Sequence, residues 1–375
     1  MENRFFPEVK QRFGFGCMRL PMLGDEVDAA QFCKMTDAFL EKGFNYFDTA
    51  HGYLSGKSET AIRECLVKRH PRESFVLTDK LTDPYFKSEA DIRPFFEKQL
   101  AWCGVEYFDF YLMHAQNAQN FKKFCSCRAY ETAFELKKEG KIRHVGLSFH
   151  DTADVLDEIL TLYPEVEVVQ IQFNYADYDD NAIQSRACYD VCVKHNKPVI
   201  VMEPVKGGIL VNLPDRAKAV LDGLHGGSYA SYALRFAAHF PQVCMVLSGM
   251  SDMAQMNDNL SFMKDVLPLS AAEMAAVEEV RGVFRSLDTV ACTACRYCVE
   301  GCPERISIPD LFADLNSHKR YPNWDGGWRY AVHTEGRGKA SDCIGCGRCE
   351  KVCPQHLPVR RHLKEVAEVF EKKDE

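Results

Sequence analysis

The sequence has 375 residues, 46% of them apolar, and a formal net charge of −8. That length carries one large domain and a small one with ample core, the acidic balance argues against nucleic acid, and no apolar run reaches membrane-spanning length. Met1-Glu2-Asn3-Arg4 leads into no apolar stretch of the secretory kind, so the 17 cysteines read as thiols of a reducing cytoplasm, not as a disulfide framework.

From Arg12 to about Met250, short apolar runs alternate with amphipathic stretches. The runs predict strands at 14–18, 45–49, 75–80, 108–114, 144–148, 166–173, 198–202 and 243–248. The stretches between them predict helices over 28–41, 58–67, 89–102, 129–139, 153–162, 182–195 and 229–238. Strand and helix alternating eight times is the pattern of an α/β chain folded as a (β/α)8 TIM barrel. The alternative, an open doubly wound sheet, lacks the GxGxxG that would follow a strand. Two more helices follow at 252–263 and 271–285, the second with Ser270 as its N-cap. The domain boundary falls near Ser286, giving a barrel over 1–286 and a second domain over 287–375.

Beyond that point the texture changes. Cys292-Thr-Ala-Cys295-Arg-Tyr-Cys298-Val-Glu-Gly-Cys302-Pro303 returns as Cys343-Ile-Gly-Cys346-Gly-Arg-Cys349-Glu-Lys-Val-Cys353-Pro354. Both are C-x2-C-x2-C-x3-C-P, the bacterial ferredoxin spacing for cubane [4Fe–4S] clusters. Three thiolates in one turning loop can each hold an iron, while the fourth cysteine lies too far round and ligates the other motif's cluster. Cys292, Cys295, Cys298 and Cys353 are therefore expected at one cluster, and Cys343, Cys346, Cys349 and Cys302 at the second. Zinc, the competing use of CxxC, needs two pairs about one tetrahedral ion, not three cysteines in seven residues closed by a fourth and a proline. The segment predicts a small α+β, bacterial-ferredoxin-like dicluster domain, with helices at 308–316 and 359–371 and a turn at 324–328.

Catalytic residues of (β/α)8 barrels come from the C-terminal ends of strands. Asp48 ends the second predicted strand, Tyr53 follows in the loop, Lys80 ends the third strand and His114 the fourth. A lone histidine after a strand is commonly structural; the four together describe a site. An ammonium beside a phenol favours the phenolate, and a carboxylate neutralises and positions that ammonium. A histidine can bond the same carbonyl oxygen, so Tyr53 would donate a proton to an oxygen gaining negative charge.

Phe47-Asp48-Thr49-Ala50-His51-Gly52-Tyr53, the Lys80 strand, Tyr111-Leu-Met-His114, Val145-Gly-Leu-Ser148 and Gln170 resemble the aldo-keto reductase superfamily over about 13–260. The whole chain resembles the branch of that superfamily fused to a 4Fe–4S domain. The resemblance implies an Asp48, Tyr53, Lys80 and His114 tetrad acting on a small-molecule carbonyl, with NADPH held extended and without a Rossmann motif. It implies carboxamide contacts from Ser148 and Gln170, with Phe149 where the family has asparagine and Met202 where it stacks a tyrosine. It also implies that 246–260, with Ser248 and Asn259, cradles the adenosine 2′-phosphate. Gly249 and Gln255 stand where the family places a lysine and an arginine, so NADP(H) and NAD(H) both stay open. Lys206-Gly207-Gly208, after the seventh strand, is either a glycine-rich turn or a contact to a pyrophosphate or a flavin phosphate.

A hydride carries two electrons and a cubane cluster usually passes one; a flavin converts between the two. Three readings follow. The barrel is an NAD(P)H-dependent carbonyl reductase whose clusters are structural or relay electrons elsewhere. Or it is a ferredoxin- or flavin-linked reductase whose clusters feed the barrel site. Or the protein is an electron carrier with an inactive barrel. An electron-transfer partner protein is expected wherever the clusters relay. Substrate choice is expected to lie in loops 115–128, 175–181 and 205–227.

Overall fold

The computed structural model describes residues 4–180, 183–224, 227–286, 289–290, 292, 296–320, 326–353 and 355–371. The chain divides into two compact units, one of residues 1–179, 183–206 and 224–274, the other of 180–182, 207–223 and 275–375. Residues 287–288, where the domain boundary is expected, lie outside the described residues. No helix among the described residues is long and apolar enough to cross a membrane.

The first unit holds a closed barrel of eight parallel strands. They are β1 (Phe13–Gly16), β4 (Tyr46–Asp48), β5 (Val76–Leu81), β6 (Phe108–Gln116), β7 (Ile142–Phe149), β8 (Val168–Gln172), β9 (Val199–Met202) and β10 (Val243–Ser248). Each strand pairs with the next, and β1 closes the ring by pairing with both β4 and β10. Strands covered by helices are buried on both faces and so read as unbroken apolar runs; every residue of β5 and β10 is buried. Close approach of β7 to its neighbours needs Gly146. A Cβ there would lie 2.5 Å from Val168 Cγ1 and 2.6 Å from Leu112 Cδ2.

Helix starts follow the local chemistry. Asp28 accepts a hydrogen bond from Gln31 N–H, Ser88 and Asp91 form a capping box, and Asp252 accepts from Gln255 N–H. Glu273 N–H donates to Ser270 Oγ at 3.3 Å, the cap expected for helix Ala271–Arg285. The structure departs from the sequence expectation in several places. The loop after β1 carries a hairpin, β2 (Met22–Leu23) with β3 (Glu26–Val27). The helix expected over 58–67 is an α-helical Lys57–Ile62 followed by a π-helical turn, Arg63–Val67. Loops 115–128 and 205–227 contain helices Asn120–Ser126 and Asp215–Asp222.

The N-terminal segment packs Phe6 and Val9 against Tyr46, Val76, Phe110 and Val168, apolar residues near the starts of the strands. His144 is held there between two carboxylates, 2.7 Å from Glu8 and 3.0 Å from Glu167. This packing fills the end opposite the C-terminal rim.

The second unit is built, among the described residues of its C-terminal part, of helices and turns. Ile306, Ile308, Leu311, Phe312, Leu315, Leu363 and Val366 form its core, and five of the motif cysteines pack against that core. The internal repeat is visible in the backbone. Arg296 and Gly347 take matching left-handed conformations (φ 63° and 70°), each opening a one-turn helix, Tyr297–Glu300 and Arg348–Lys351. Of the turn expected at 324–328, residues 324–325 lie outside the described ones, and 327–328 instead begin helix Gly327–Thr334, with Gly326 as its N-cap.

Candidate active site and cluster cages

Parallel strands place their C-terminal ends on one rim. Asp48, Lys80, His114, Ser148, Gln170, Met202 and Ser248 all sit at or near such ends. Lys80 Nζ donates to Asp48 Oδ1 at 2.6 Å and to the Thr49 carbonyl at 2.7 Å. Gln170 Nε2 donates to the other Asp48 oxygen at 3.2 Å. The same ammonium lies over the Tyr53 ring, 4.8 Å from its centroid. Tyr53 meets His114 edge-on, with ring centroids 5.9 Å apart. Thr82 Oγ1 and His114 Nδ1 share a hydrogen bond of 2.7 Å. The four residues expected to act together are therefore brought together.

Tyr53 is held by an unusual turn. Leu54 and Ser55, neither of them glycine, have φ of 51° and 56°, and Gly56 follows at 87°. Left-handed backbone costs an L-residue about 1–2 kcal/mol, so the packing around this turn over-determines it.

Burial reverses one expectation about charge. It pushes the Tyr53 phenol above its ordinary value, and the Lys80 ammonium only partly offsets that. The side chain is thus a neutral phenol, the form that can donate. Burial opposes the Lys80 ammonium, but Asp48 and Tyr53 outweigh it and hold the amine above its usual range. Burial pushes Asp48 upward while Lys80 pulls it down; the direct 2.6 Å contact argues for the ionised pair. Burial, then the nearby Lys80, drive His114 well below the usual imidazole value, so its ring is neutral.

Behind Lys80 lies a polar layer that the sequence reading missed. Asp79 Oδ1 accepts the Lys80 N–H at 2.8 Å, and Gln99 Nε2 donates to the Lys80 carbonyl at 3.1 Å. Tyr111 Oη donates to Gln99 Oε1 at 2.6 Å. Burial drives Asp79 well up and raises Glu59 to about 7, so this pair of touching carboxyls keeps a proton. The layer grips the main chain of Lys80 from both sides. Alternation alone put Asp79 on the opposite face of β5 from Lys80, which was the available signal.

The expected dinucleotide contacts are placed as follows. Ala115 N–H donates to Ser148 Oγ at 2.8 Å, and Met202 ends β9. Asn259 Nδ2 donates to Ser248 Oγ at 3.3 Å. Gln255 Oε1 is occupied by the Ser251 N–H at 2.9 Å. Gly249 faces Arg19, which a Cβ at 249 would approach to 3.5 Å, and Ser251 Oγ donates to the Arg19 carbonyl at 3.0 Å. This exposed arginine, from the loop after β1, is far from the 246–260 segment in sequence, so spacing gave no sign of it. Lys206 Nζ is paired with Asp177 at 2.6 and 2.8 Å, and Asn174 donates to the same carboxylate. Gly207 and Gly208 have φ of 64° and 97°, as a glycine-rich turn requires.

In the second unit the cysteines gather around two pockets. Cys302 joins Cys343, Cys346 and Cys349 about one, and Cys353 joins Cys292 and Cys298 about another. Cys295 lies outside the described residues. Each cage takes its fourth cysteine from the other motif, and Ile308 lines both. Donor sets of thiols alone fit iron–sulfur clusters.

Comparison with known proteins bears on both units. The model of the aldo/keto reductase family matches residues 12–281, and that of the 4Fe-4S dicluster domain matches residues 291–360. The uncharacterized oxidoreductase YqkF of Bacillus subtilis is 24% identical over 283 residues, covering 66% of this chain and 85% of that protein. The NADH-specific methylglyoxal reductase of Escherichia coli is 29% identical over 243 residues, 59% of this chain and 70% of that protein. A solved aldo-keto reductase from Klebsiella pneumoniae in complex with NADPH shares the fold, with a TM-score of 0.58 at 20% identity, over 72% of this chain and 90% of that one.

Proposed function

The chain belongs to the aldo/keto reductase family, and on that footing we propose that its barrel reduces the carbonyl of a small aldehyde or ketone with a nicotinamide cofactor, Tyr53 giving the proton. The observation that carries this reading is the buried contact of Lys80 with both Asp48 and Tyr53. As hydride reaches the carbonyl carbon, the oxygen gains charge and takes the phenolic proton. Lys80, an ammonium kept charged by Asp48, stabilises the phenolate left behind. His114, neutral and bonded at Nδ1 to Thr82, offers Nε2 to the same oxygen. Ser148 and Gln170 line the rim where the carboxamide would lie. The reading takes residues 1–286 as the barrel domain and 287–375 as the dicluster domain.

Arg19, whose Cβ and Cδ lie beside Gly249, supports NADP(H) over NAD(H), since it sets an arginine against a loop that carries no cation of its own at 249 or 255. Lys206, already neutralised by Asp177, adds nothing for a phosphate, so a flavin bound through it is the weaker idea. The dicluster domain, once its clusters are bound, supplies one-electron transfer. A second reading, in which the protein exchanges electrons with a ferredoxin-type partner, is favoured by one observation: Cys346 is exposed.

The test is NAD(P)H-dependent carbonyl loss in anaerobically purified protein. Tyr53→Phe should lower kcat about 10²–10⁴-fold, the range of a positioned general acid, with cofactor binding intact; an unchanged rate removes Tyr53 from the reaction. Arg19→Ala should weaken NADPH and spare NADH; equal effects on both would argue against a phosphate contact there.

A further inference from the structure

We propose that the surface around Cys346 is the docking face for a small, acidic, one-electron carrier protein. The proposal rests on the dicluster domain holding its clusters and on the second reading above, and it goes further by naming where the partner sits and what charge it carries.

Among the described motif cysteines, Cys346 is the exposed one; Cys292, Cys298, Cys302, Cys343, Cys349 and Cys353 are partly covered. Electron transfer weakens steeply with distance, so an exposed ligand is where a partner's redox centre comes nearest. One flank is bare, while the other, Gly347, faces the Arg360 guanidinium. A Cβ at Gly345 would meet nothing within 4 Å. Beside it Ile344 is 64% exposed, an apolar residue that the core does not use. A small apolar centre with little else around it suits the low-area contacts of transient electron-transfer pairs.

Charge identifies the partner. From 344 to 364 the chain carries Arg348, Lys351, Arg360, Arg361 and Lys364 against one carboxylate, Glu350, in a protein whose net charge is −8. Arg348, Lys351, Arg361 and Lys364 are exposed and have no ion-pair partner among the described residues. The exception, Arg360, is paired with Glu350 at 2.8 Å and donates to the Gly345 carbonyl at 3.3 Å. That clamp holds the loop in shape before a partner arrives. The other cage differs: Arg296, which lines it, is spent on Asp310 at 2.9 and 3.0 Å. Glu304 also lines that pocket, beside Arg348, but the segment that bears the accessible ligand keeps an excess of exposed cations, which steers an anionic protein and repels a cationic one. At each encounter the reduced carrier loses one electron and the second cage gains one. No bond forms or breaks, and no proton is required.

The experiment uses the full chain with its clusters, made without air, and follows iron–sulfur bleaching by stopped flow. The reductants are a reduced acidic [2Fe–2S] ferredoxin and the methyl viologen radical cation. Affinity for the oxidised ferredoxin is read separately by titration calorimetry. In Arg348→Glu/Lys351→Glu/Arg361→Glu, the ferredoxin rate at low salt should fall about tenfold or more, within the range that steering supplies. Its salt dependence should flatten and binding should weaken. Methyl viologen should reduce the variant at least as fast as the parent, at unchanged iron content. Arg348→Gln/Lys351→Gln should give an intermediate loss, which guards against a folding defect. Equal, salt-independent ferredoxin rates in parent and variant would overturn the proposal. So would a parent that dimerises through this face and ceases to do so on charge reversal, because the occupant would then be a second copy. A colourless preparation that methyl viologen does not change would strike the cluster reading instead.

Discussion

Replacing Asp48 by Asn keeps the shape of the side chain and removes its charge, leaving a buried ammonium without its counter-ion. The lost contact is 2.6 Å long; at an effective dielectric of about 20 it corresponds to roughly 6 kcal/mol of Coulomb attraction. The Thr49 carbonyl and Tyr53 still hold Lys80, so the net cost should fall to about 3–5 kcal/mol, the range for a buried pair that loses one partner. For a domain of the barrel's size that is a drop of roughly 6–10 °C in Tm, at about 2 °C per kcal/mol. The assay is thermal melting by circular dichroism of anaerobically prepared protein, with the barrel transition followed in Asp48→Asn, Lys80→Met and the double variant. The double variant should be more stable than Asp48→Asn alone, because the stranded charge has gone. A shift of less than about 2 °C in Asp48→Asn, or strictly additive losses in the double variant, would refute the claim that this carboxylate exists to keep the lysine charged.

Other outcomes follow from the same geometry. Cys346→Ser should halve the iron content and lower the melting temperature of the C-terminal part, since ligation and folding are linked; unchanged iron would refute the assignment of Cys346 as a ligand. The His144 site should shape stability against pH. His144 is raised to about 9 because the hydrogen bonds it donates to Glu167 and Glu8 outweigh burial. Its stabilising effect is therefore full below the ordinary imidazole value near 6.5 and is lost as pH rises through 9. Glu167 is lowered to about 2 despite burial, chiefly by His144 and Lys137. Its effect is present above about 4.5 and lost as pH falls through 2. His144→Ala should remove the decline in Tm between pH 7 and 9, and an unchanged slope would show that the pair does not report on folding.

Much of the barrel was legible because burial on both faces leaves its mark in composition: β10 and helices Ala153–Leu162, Tyr229–Ala238 and Ala271–Arg285 run over the residues that periodicity gave them. Hairpin β2–β3 was not, since strands of two residues carry no period. The π-helical turn at Arg63–Val67 adds a residue to the ladder without changing which side chains are apolar, so it too was silent. At the rim, the tetrad could be read because each member sits beside a strand end. What could not be read was solvent. A lysine next to a tyrosine suggested an acidified phenol, yet desolvation of the partly buried phenol outweighs the ammonium. Long-range partners were equally hidden: Asp177 for Lys206 and Arg19 for Gly249 come from segments that no local spacing connects.

The left-handed Leu54 and Ser55 that carry Tyr53 place two aims in competition. Glycine at either position would relieve the left-handed backbone strain, but it would also loosen the turn and free the phenol to swing away from its lysine. A lineage selected only for durability would drift toward glycine at these two places; one selected for turnover would keep the awkward residues and bear the penalty.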